Sequence, residues 1–210
     1  MAMLTFPRFA VQSTTVAQPM IGSFITAGIG APSDQLLTLT LGNLCAGSGF
    51  SDSQLFIPGS EALLIDPGGL RAETVRVKSI VTGANVNQIV LGPKTNVRAD
   101  GRANPVTELT HVSGAFNTGT WILLHVQFNS IFLQPEDGGA GAFMYFGSAI
   151  NMTPTYKRAV KLASASSGSQ PNAFSSTQSS PGDPFISSEW WVLGGSGNSN
   201  DAYIVALNQV

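Results

Sequence analysis

Alternation of apolar and polar residues is clearest between residues 73 and 81, in the sequence ETVRVKSIV. A period of two is typical of a half-buried β-strand, because successive side chains point to opposite faces of a sheet. The alternation places Arg76 and Lys78, together with Thr74, on one face. The opposite face takes the apolar positions Val75 and Val77 and, by continuation, Ser79. The pattern therefore predicts an amphipathic strand whose charged face meets solvent.

Runs on both sides of this strand complete a small antiparallel unit. EALLI (61–65) ends in the turn-forming segment DPGG (66–69), GANVN turns the chain again after the strand, and QIVLG (88–92) returns it. An earlier strand-like run, LLTLTLGNL, covers residues 36–44. Together these runs predict a small β-barrel or β-tulip-like module over residues 34–112.

The second half of the chain holds further apolar runs at short intervals. WILLHVQFNSIFLQP (121–135) contains two runs that flank Asn129-Ser130, a sequence typical of a hairpin tip. AFMYF (142–146) is apolar on both faces, which indicates a strand buried on both sides. TYKRAVKLAS, EWWVLGG and DAYIVAL are also interpreted as strands. These runs predict a jelly-roll-like β-sandwich over residues 113–210.

The first 33 residues lack a clear period. Pro7, Pro19 and Pro32 interrupt any long helix, so residues 1–33 are predicted to form an extended N-terminal arm. Residues 164–182 are an uncharged, serine-rich loop, and loops of this length are functional or held by a neighbour. No amphipathic helical pattern exceeds about two turns. The predicted fold class is therefore all-β.

Composition supports a folded β protein with many turns. Of the 210 residues, 43% are hydrophobic and only 10% are charged, against about 25% charged in typical soluble domains. The 23 glycines and 12 prolines suit frequent turns, whereas a disordered chain carries more charge and fewer apolar residues. Because charged residues are depleted at the cores of interfaces, this composition also favours a surface partly covered by partners.

Net charge and targeting signals exclude several functional classes. The net charge is −2 and the ten Lys and Arg are scattered, which is not the basic footprint of a protein that binds nucleic acid or an anionic membrane. The opening residues, MAMLTFPRFAVQ, lack the regions of a secretory signal, and the uncharged stretch 9–33 is too polar to span a membrane. Cys45, the one cysteine, excludes an intramolecular disulfide and is expected to be buried. These features predict a soluble protein made in the cytoplasm.

The titratable residues form no recognisable catalytic or metal-binding motif. His111 and His125 are the only histidines, no G-x-S-x-G elbow occurs, and their spacing relative to Cys45 does not fit zinc. Glu136 and Asp137 are expected to lie in a solvated turn, with a weak calcium contact as the alternative. The glycine-rich segments lack the Lys-Ser/Thr of a phosphate-binding loop. The sequence therefore predicts no enzyme activity, no cofactor and no metal.

Two pairs of residues keep functional alternatives open. Asp66 and Glu73 bracket the hairpin turn and are the best candidates for a catalytic pair of carboxylates, although a structural pairing with Arg71 or Arg76 is favoured. The adjacent Trp190 and Trp191 face opposite ways if they lie on a strand. One of them is expected in the core, and the other at an exposed position or interface, where an aromatic ring can bind a sugar or a protein.

The stretch from residue 55 to residue 110, about a quarter of the chain, resembles a module that recurs in virion proteins of tailed bacteriophages. The resemblance is carried by four segments: Leu64-Ile65-Asp66, Ala72-Glu73-Thr74-Val75-Arg76-Val77, Ile89-Val90-Leu91 and Ala99-Asp100-Gly101. The chain departs from the family at residues 98–102, where RADGR replaces the usual His-Ala-x-Gly-Ala stretch. Nothing in the second half of the sequence adds to the resemblance.

The resemblance implies a non-enzymatic, capsid-associated protein, of which a head decoration (cement) protein is the favoured form. Proteins of this type commonly form trimers on the capsid surface and bind the major capsid protein through an N-terminal arm, which here would add a strand to an exposed capsid edge. The implied location is the capsid surface of the virion. The residues expected to contact partners are Phe6, Phe9, Val11, Met20, Ile21, Phe24, Trp190 and Trp191.

Three alternatives belong to other positions or classes. A tail, fibre, baseplate or head–tail connector component would have ring or fibre symmetry. A carbohydrate-binding β-sandwich would expose a tryptophan beside Asn, Asp or Gln side chains. A small enzyme would hold Asp66 and Glu73 across a concave pocket.

Overall fold

The computed structural model describes thirteen stretches of the chain. They are residues 3–6, 9–11, 17–26, 37–45, 50–66, 72–81, 86–92, 119–136, 143–148, 159–163, 173–177, 185–195 and 202–209. In these stretches the chain forms strands and two 3₁₀ turns, Asp52–Leu55 and Ser187–Glu189, and no α-helix. The all-β fold class is therefore confirmed.

Sixteen strands are present in the described stretches. In chain order they are β1 (Met3–Thr5), β2 (Phe9–Ala10), β3 (Gln18–Pro19), β4 (Gly22–Phe24), β5 (Leu37–Thr40), β6 (Glu61–Ile65), β7 (Ala72–Val81), β8 (Gln88–Gly92), β9 (Trp121–Leu124), β10 (Gln127–Glu136), β11 (Phe143–Gly147), β12 (Val160–Ala163), β13 (Phe174–Thr177), β14 (Phe185–Ile186), β15 (Trp191–Gly194) and β16 (Ala202–Gln209). Every pairing among them is antiparallel.

The chain divides into two compact units that are both discontinuous in sequence. The barrel unit consists of Gly22–Asn43 and Ser51–His125, and the double-sheet unit of Met1–Ile21, Leu44–Phe50 and Val126–Val210. The chain therefore passes from one unit to the other four times. This division replaces the predicted boundaries 1–33, 34–112 and 113–210, because strand pairing between distant segments, and not order along the chain, decides which segments fold together.

In the barrel unit six strands form one sheet in the order β4-β9-β6-β7-β8-β5. The two outer strands of this order meet, because a bridge joins Ile25 to Leu41. The N–H of Gly42 donates to the carbonyl of Phe24 (2.7 Å) and that of Thr26 donates to the carbonyl of Thr40 (3.0 Å). The sheet thus closes on itself at these residues, and the closing pairs satisfy part of its two edges.

The interior of the barrel is apolar. Each of five strands contributes a fully buried side chain, namely Leu39, Leu64, Val75, Ile89 and Ile122. Burying a side chain of this size stabilises a fold by about 1.5–3 kcal/mol relative to leaving it exposed. The first 3₁₀ turn adds Leu55 and the following Phe56, which are also buried. Buried and less buried residues therefore alternate along these strands, because each strand turns one face toward this core.

A β-bulge in β7 changes which residues face the core. Val75 and Val77 are buried as predicted, and Val77 pairs with Leu91. The register then shifts, so that Ser79 pairs with Val90. Because a bulge adds one residue, Lys78 and Ser79 both lie on the outer face and both are exposed. The prediction that Ser79 continues the buried face is therefore wrong.

In the double-sheet unit the strands form two sheets. One sheet has the order β1-β16-β10-β13, with β2 also paired to β16 and β14 to β10, and the other has the order β12-β11-β15-β3. Side chains of both sheets meet in one core, where Phe146 of β11 contacts Phe174 of β13 at 5.0 Å between ring centroids. The hydroxyl of Tyr203 in β16 donates to the carbonyl of Met20 at 3.0 Å. The predicted jelly-roll connectivity stays a prediction.

The predicted N-terminal arm is wrong for the part of residues 1–33 that the structure describes. β1 and β2 pair with β16, β3 pairs with β15, and β4 pairs with β9. Proline interrupts helices but is compatible with short strands whose partners lie elsewhere in the chain. These residues are consequently part of both units and do not extend away from them.

Two predictions about the second half also fail, while its other strands are found. Asn129-Ser130 is not a hairpin tip, because β10 runs through it with a register shift between Phe128 and Ser130. Asn129 and Ser130 lie within this irregular part of β10. The interruption between two strands occurs instead at His125-Val126, between β9 and β10. Within the serine-rich segment 164–182, Phe174–Thr177 forms a strand that pairs with β10.

Candidate functional site

The outer face of the β6–β7–β8 meander carries the charged residues that the sequence singled out. Arg76 lies in register with Glu61 of β6 on one side and with Gly92 of β8 on the other. Arg76 and Glu61 are half-buried, and Lys78 is exposed. The meander, confirmed strand by strand, therefore arranges one acidic and two basic side chains on one surface.

Gly92 gives Lys78 its position on this surface. A β-carbon at Gly92 would collide with the Cγ and Cε atoms of Lys78. The aliphatic part of the lysine therefore lies directly over the glycine backbone. Lys78 reaches the same outer face as Arg76 by alternation, and the bulge that follows turns Ser79 to this face as well.

Arg76 is the polar residue of this surface whose hydrogen bonding is incomplete. Its Nε atom is buried and has no hydrogen-bond partner among the described residues. A buried donor without a partner costs about 1–3 kcal/mol, so such a group in a folded protein requires an explanation. Within the described part of the chain, nothing accepts a hydrogen bond from this Nε.

Glu73 lies on the opposite face of β7 from Arg76. Glu73 is in register with Leu64, whose side chain is inside the barrel. Residues three apart on a regular strand point in opposite directions, so the predicted pairing of Glu73 with Arg76 does not fit this geometry. Asp66 directly follows β6, so both carboxylates are at the same end of the hairpin. Arg71, the other predicted partner, lies outside the described residues.

A buried polar cluster fixes the 3₁₀ turn Asp52–Leu55 in the barrel unit. The hydroxyl of Ser23 in β4 donates to the carboxylate of Asp52 at 2.6 Å, and both residues are fully buried. The N–H of Ser53 donates to Oδ1 of Asn87 at 2.8 Å, and the Asn87 amide donates to the carbonyl of Gly42. Because Ser23 and Asp52 are fully buried, their hydrogen bond acts as structural support.

Sequence reasoning missed this cluster, although a local signal was present. Ser51-x-x-Gln54 matches a capping box, and the N–H of Ser51 indeed donates to Oε1 of Gln54 at 2.8 Å. That pattern could have predicted the helical turn. It could not have predicted that Ser23, 29 positions earlier in the chain, supplies the partner of Asp52.

Five of the eight predicted interface residues are buried within the chain itself. They are Phe9, Val11, Met20, Ile21 and Trp191, each with 9% or less of its surface exposed. The remaining three, Phe6, Phe24 and Trp190, are half-buried. The assignment of the five to an interface is corrected, because apolar residues of paired strands face the chain's own core.

Trp190 sits in a cluster of aromatic rings. It stacks on Phe146 at 4.9 Å with an interplanar angle of 11°, and it meets Phe185 edge-on at 5.7 Å. Its indole Nε1 is buried and has no hydrogen-bond partner among the described residues. Phe146 covers one face of the indole, so this half-buried ring is used at least in part for packing within the chain.

The remaining candidate residues do not assemble a centre. Cys45 is buried, as expected, and His125 is half-buried, with its backbone N–H directed to the carbonyl of Glu61 at 3.4 Å. No three His, Cys, Asp or Glu residues of the described stretches are grouped as metal ligands. His111 and Asp137 lie outside those stretches. No helix among the described residues is long and apolar enough to cross a membrane.

Comparison with known proteins returned no match to any protein-family model, any curated protein or any solved structure.

Proposed function

We propose that the protein is a non-enzymatic structural component of a bacteriophage virion, in its favoured form a head decoration protein that binds and stabilises the capsid. The proposed partner is the major capsid protein, and the proposed assembly is a homo-oligomer, with a trimer favoured. The observation that carries the proposal is the interlocked path of the chain through two β units.

Interlocking has a mechanical consequence. The chain crosses between the units after residues 21, 43, 50 and 125, and the N-terminal β1 pairs with the C-terminal β16, for example Leu4 with Leu207. Neither terminus can be pulled away without breaking a row of backbone hydrogen bonds. An architecture of this kind resists local opening, which suits a part that must stay folded on a particle.

The strands of the phage-type module add support. Leu64-Ile65 lies in β6, Ala72–Val77 lies in β7, and Ile89–Leu91 lies in β8. These three strands are neighbours in the barrel sheet, in the order β6-β7-β8. The module's fourth segment, Ala99-Asp100-Gly101, falls outside the described residues.

Attachment to a capsid is proposed to use surface side chains instead of a free arm. The described residues include four large apolar side chains that are exposed, namely Phe50, Ile57, Phe132 and Val160. Exposed apolar groups of this size are candidates for contact with a protein partner. The proposal therefore keeps the predicted partner but changes the element that would reach it.

Sedimentation of the purified protein tests the proposal. We expect sedimentation velocity to give an oligomer and empty capsids to carry the protein into the pellet. Density of the bound protein at threefold or quasi-threefold points of the capsid would support decoration. A stable monomer that leaves capsids unbound would refute it, and density along the tail would favour the tail, fibre or connector alternative.

A further inference from the structure

We infer that the outer face of β7 and β8 around Arg76, Lys78 and Gly92, here called the cationic face, docks a carboxylate-rich segment of a protein partner. Its biological setting rests on the proposed structural role, in which that segment would belong to the partner's surface. Its binding chemistry stands on the geometry of these three residues.

The first element of the inference is the placement of Lys78. Alternation after the buried Val77 places Lys78 on the outer face, and its carbons lie over Gly92, where any larger residue would displace them. A lysine that lies over a glycine has less conformational freedom than one extending into solvent. Its Cε atom thereby lies over Gly92, the residue in register with Arg76.

The second element is the Nε atom of Arg76. Its Nε is buried and has no hydrogen-bond partner among the described residues. Arginine presents its donors as a rigid planar fork that matches both oxygens of a carboxylate. A carboxylate that docks on this face would accept from the accessible part of such a fork.

The third element is the local charge balance. Glu61, in register with Arg76 on β6, is the one acidic neighbour that the strand register brings to this face. Glu73 belongs to the opposite face of β7, where it is in register with Leu64. Counted over the described residues, one carboxylate beside two cations leaves the cationic face net positive on a chain whose net charge is −2. The face thus favours an acidic partner.

The same charge count favours a protein over a nucleic acid. Binding along a nucleic-acid backbone gains its affinity from many neutralised phosphates. Two neighbouring cations in a chain with ten scattered Lys and Arg do not form such a track. Two cations at fixed positions instead suit one or two carboxylates of a short acidic segment.

A labelled hexaglutamate peptide serves as the probe, with binding followed by fluorescence anisotropy at low ionic strength. We expect Arg76→Gln and Lys78→Gln each to weaken binding by about threefold, the scale of a partly exposed ion pair. Lys161→Gln is the matched control, because it removes one charge from an exposed lysine whose Nζ lies 3.8 Å from the centre of the Phe143 ring. The control should bind as the unmodified protein does.

Gly92→Ala tests the geometry without changing any charge. The added methyl group must displace Lys78, so we expect weaker peptide binding. The variant should still give the thermal melt of a folded protein. Unchanged binding by a folded Gly92→Ala protein would overturn the role of Lys78. Equal losses in Arg76→Gln, Lys78→Gln and Lys161→Gln would overturn the site, because they would indicate a general charge effect. Tighter binding of a labelled oligothymidine than of hexaglutamate would overturn the choice of a protein partner.

Capsid sedimentation separates this inference from the proposed function. Peptide binding that depends on Arg76 and Lys78, in a protein that does not bind capsids, would sustain the cationic face and refute the proposed function. Capsid binding with no measurable affinity for hexaglutamate would support the proposed function and refute the cationic face as a docking site. Capsid binding weakened by Arg76→Gln and Lys78→Gln, but not by Lys161→Gln, would support both.

Discussion

The barrel unit and the double-sheet unit reach an all-β fold in different ways. In the barrel unit β6, β7 and β8 follow one another in the chain and are neighbours in the sheet. In the double-sheet unit β16 is flanked by β1, from the start of the chain, and by β10. The barrel therefore contains a locally formed meander, whereas the double sheet depends on pairings that close most of the chain into a loop.

This difference has consequences for the rate of folding and for the effect of removing strands. Local pairings form quickly, since little chain entropy is lost before the first contacts are made, whereas pairings between distant segments form slowly. The barrel strands pair with one another in a single closed sheet. Among the described strands β1 and β2 pair only with β16, and the N–H of Ala10 in β2 also donates to the carbonyl of Leu44. Removing the N-terminal strands should consequently harm one unit far more than the other.

Deletion of residues 1–11 should have the largest effect. It removes β1, β2 and Phe9, which is fully buried and stacks on Tyr203 at 5.3 Å. Loss of a buried phenylalanine alone costs about 3–5 kcal/mol, a large part of the total stability of about 5–15 kcal/mol. Hydrogen exchange should show lost protection at residues 202–209 and retained protection at 88–92. Protection retained at both sites would mean that the N-terminal strands are dispensable.

A pair of core substitutions should then give large but separate losses. We expect Phe9→Ala to cost about 3–5 kcal/mol and Leu64→Ala about 2–5 kcal/mol, because each leaves a cavity in a different core. Local protection against hydrogen exchange should fall mainly at 202–209 for the first and at 61–65 for the second. The exposed Phe132→Ser provides the control. Identical exchange profiles for both core variants would show that the units unfold as one.

Ser23→Ala should cost less and act in the barrel unit. It removes the donor to the buried carboxylate of Asp52, and a hydrogen bond to a charged group contributes about 1.5–3 kcal/mol. Urea unfolding should show the loss in the midpoint, with an unchanged slope. Ser79→Ala is the control, because Ser79 is exposed on the outer face of the bulge. A stability equal to that of the unmodified protein would show that Asp52 is held by other groups.

Gly59→Ala should have the smallest effect. Gly59 has a φ of +91° and nothing within 4 Å of an added β-carbon, so the cost of about 1 kcal/mol comes from backbone strain alone. Gly119, with a φ of +94° and equal space, is the matched case in the same unit. The two variants should lose similar stability in thermal melts. A loss several times larger in one of them would reveal a packing role for that turn.

Local pattern was sufficient for the barrel meander. Alternation in residues 73–81 predicted β7, and the short flanking runs predicted β6 and β8, because consecutive antiparallel strands need only turns between them. The same reasoning failed at Ser79, since a bulge has no signal in a simple period of two. It failed at Asn129-Ser130 because turn-forming residues are also tolerated in an irregular strand.

Pairing between distant segments explains why the sequence and the structure assign the partner-binding surface to different residues. Phe9, Met20 and Ile21 looked available to a partner because their stretch has no local period, yet they are fully buried. Their partners are strands at the other end of the chain, which local pattern does not reveal. The cationic face, by contrast, uses Arg76 and Lys78, whose outward direction alternation had already predicted. Only the bulge and Gly92 were missing from that prediction.

The sequence by itself determined the all-β class, the strands of the meander, the lack of a charge run and the outward direction of its two cations. These properties follow from side-chain chemistry and from a period of two, which act over a few residues. The tertiary structure alone decided that the barrel closes between Ile25 and Leu41, that the chain ends share one sheet, and that Ser23 meets Asp52. Such contacts join residues far apart in the chain, and their free energy depends on the whole core that brings them together.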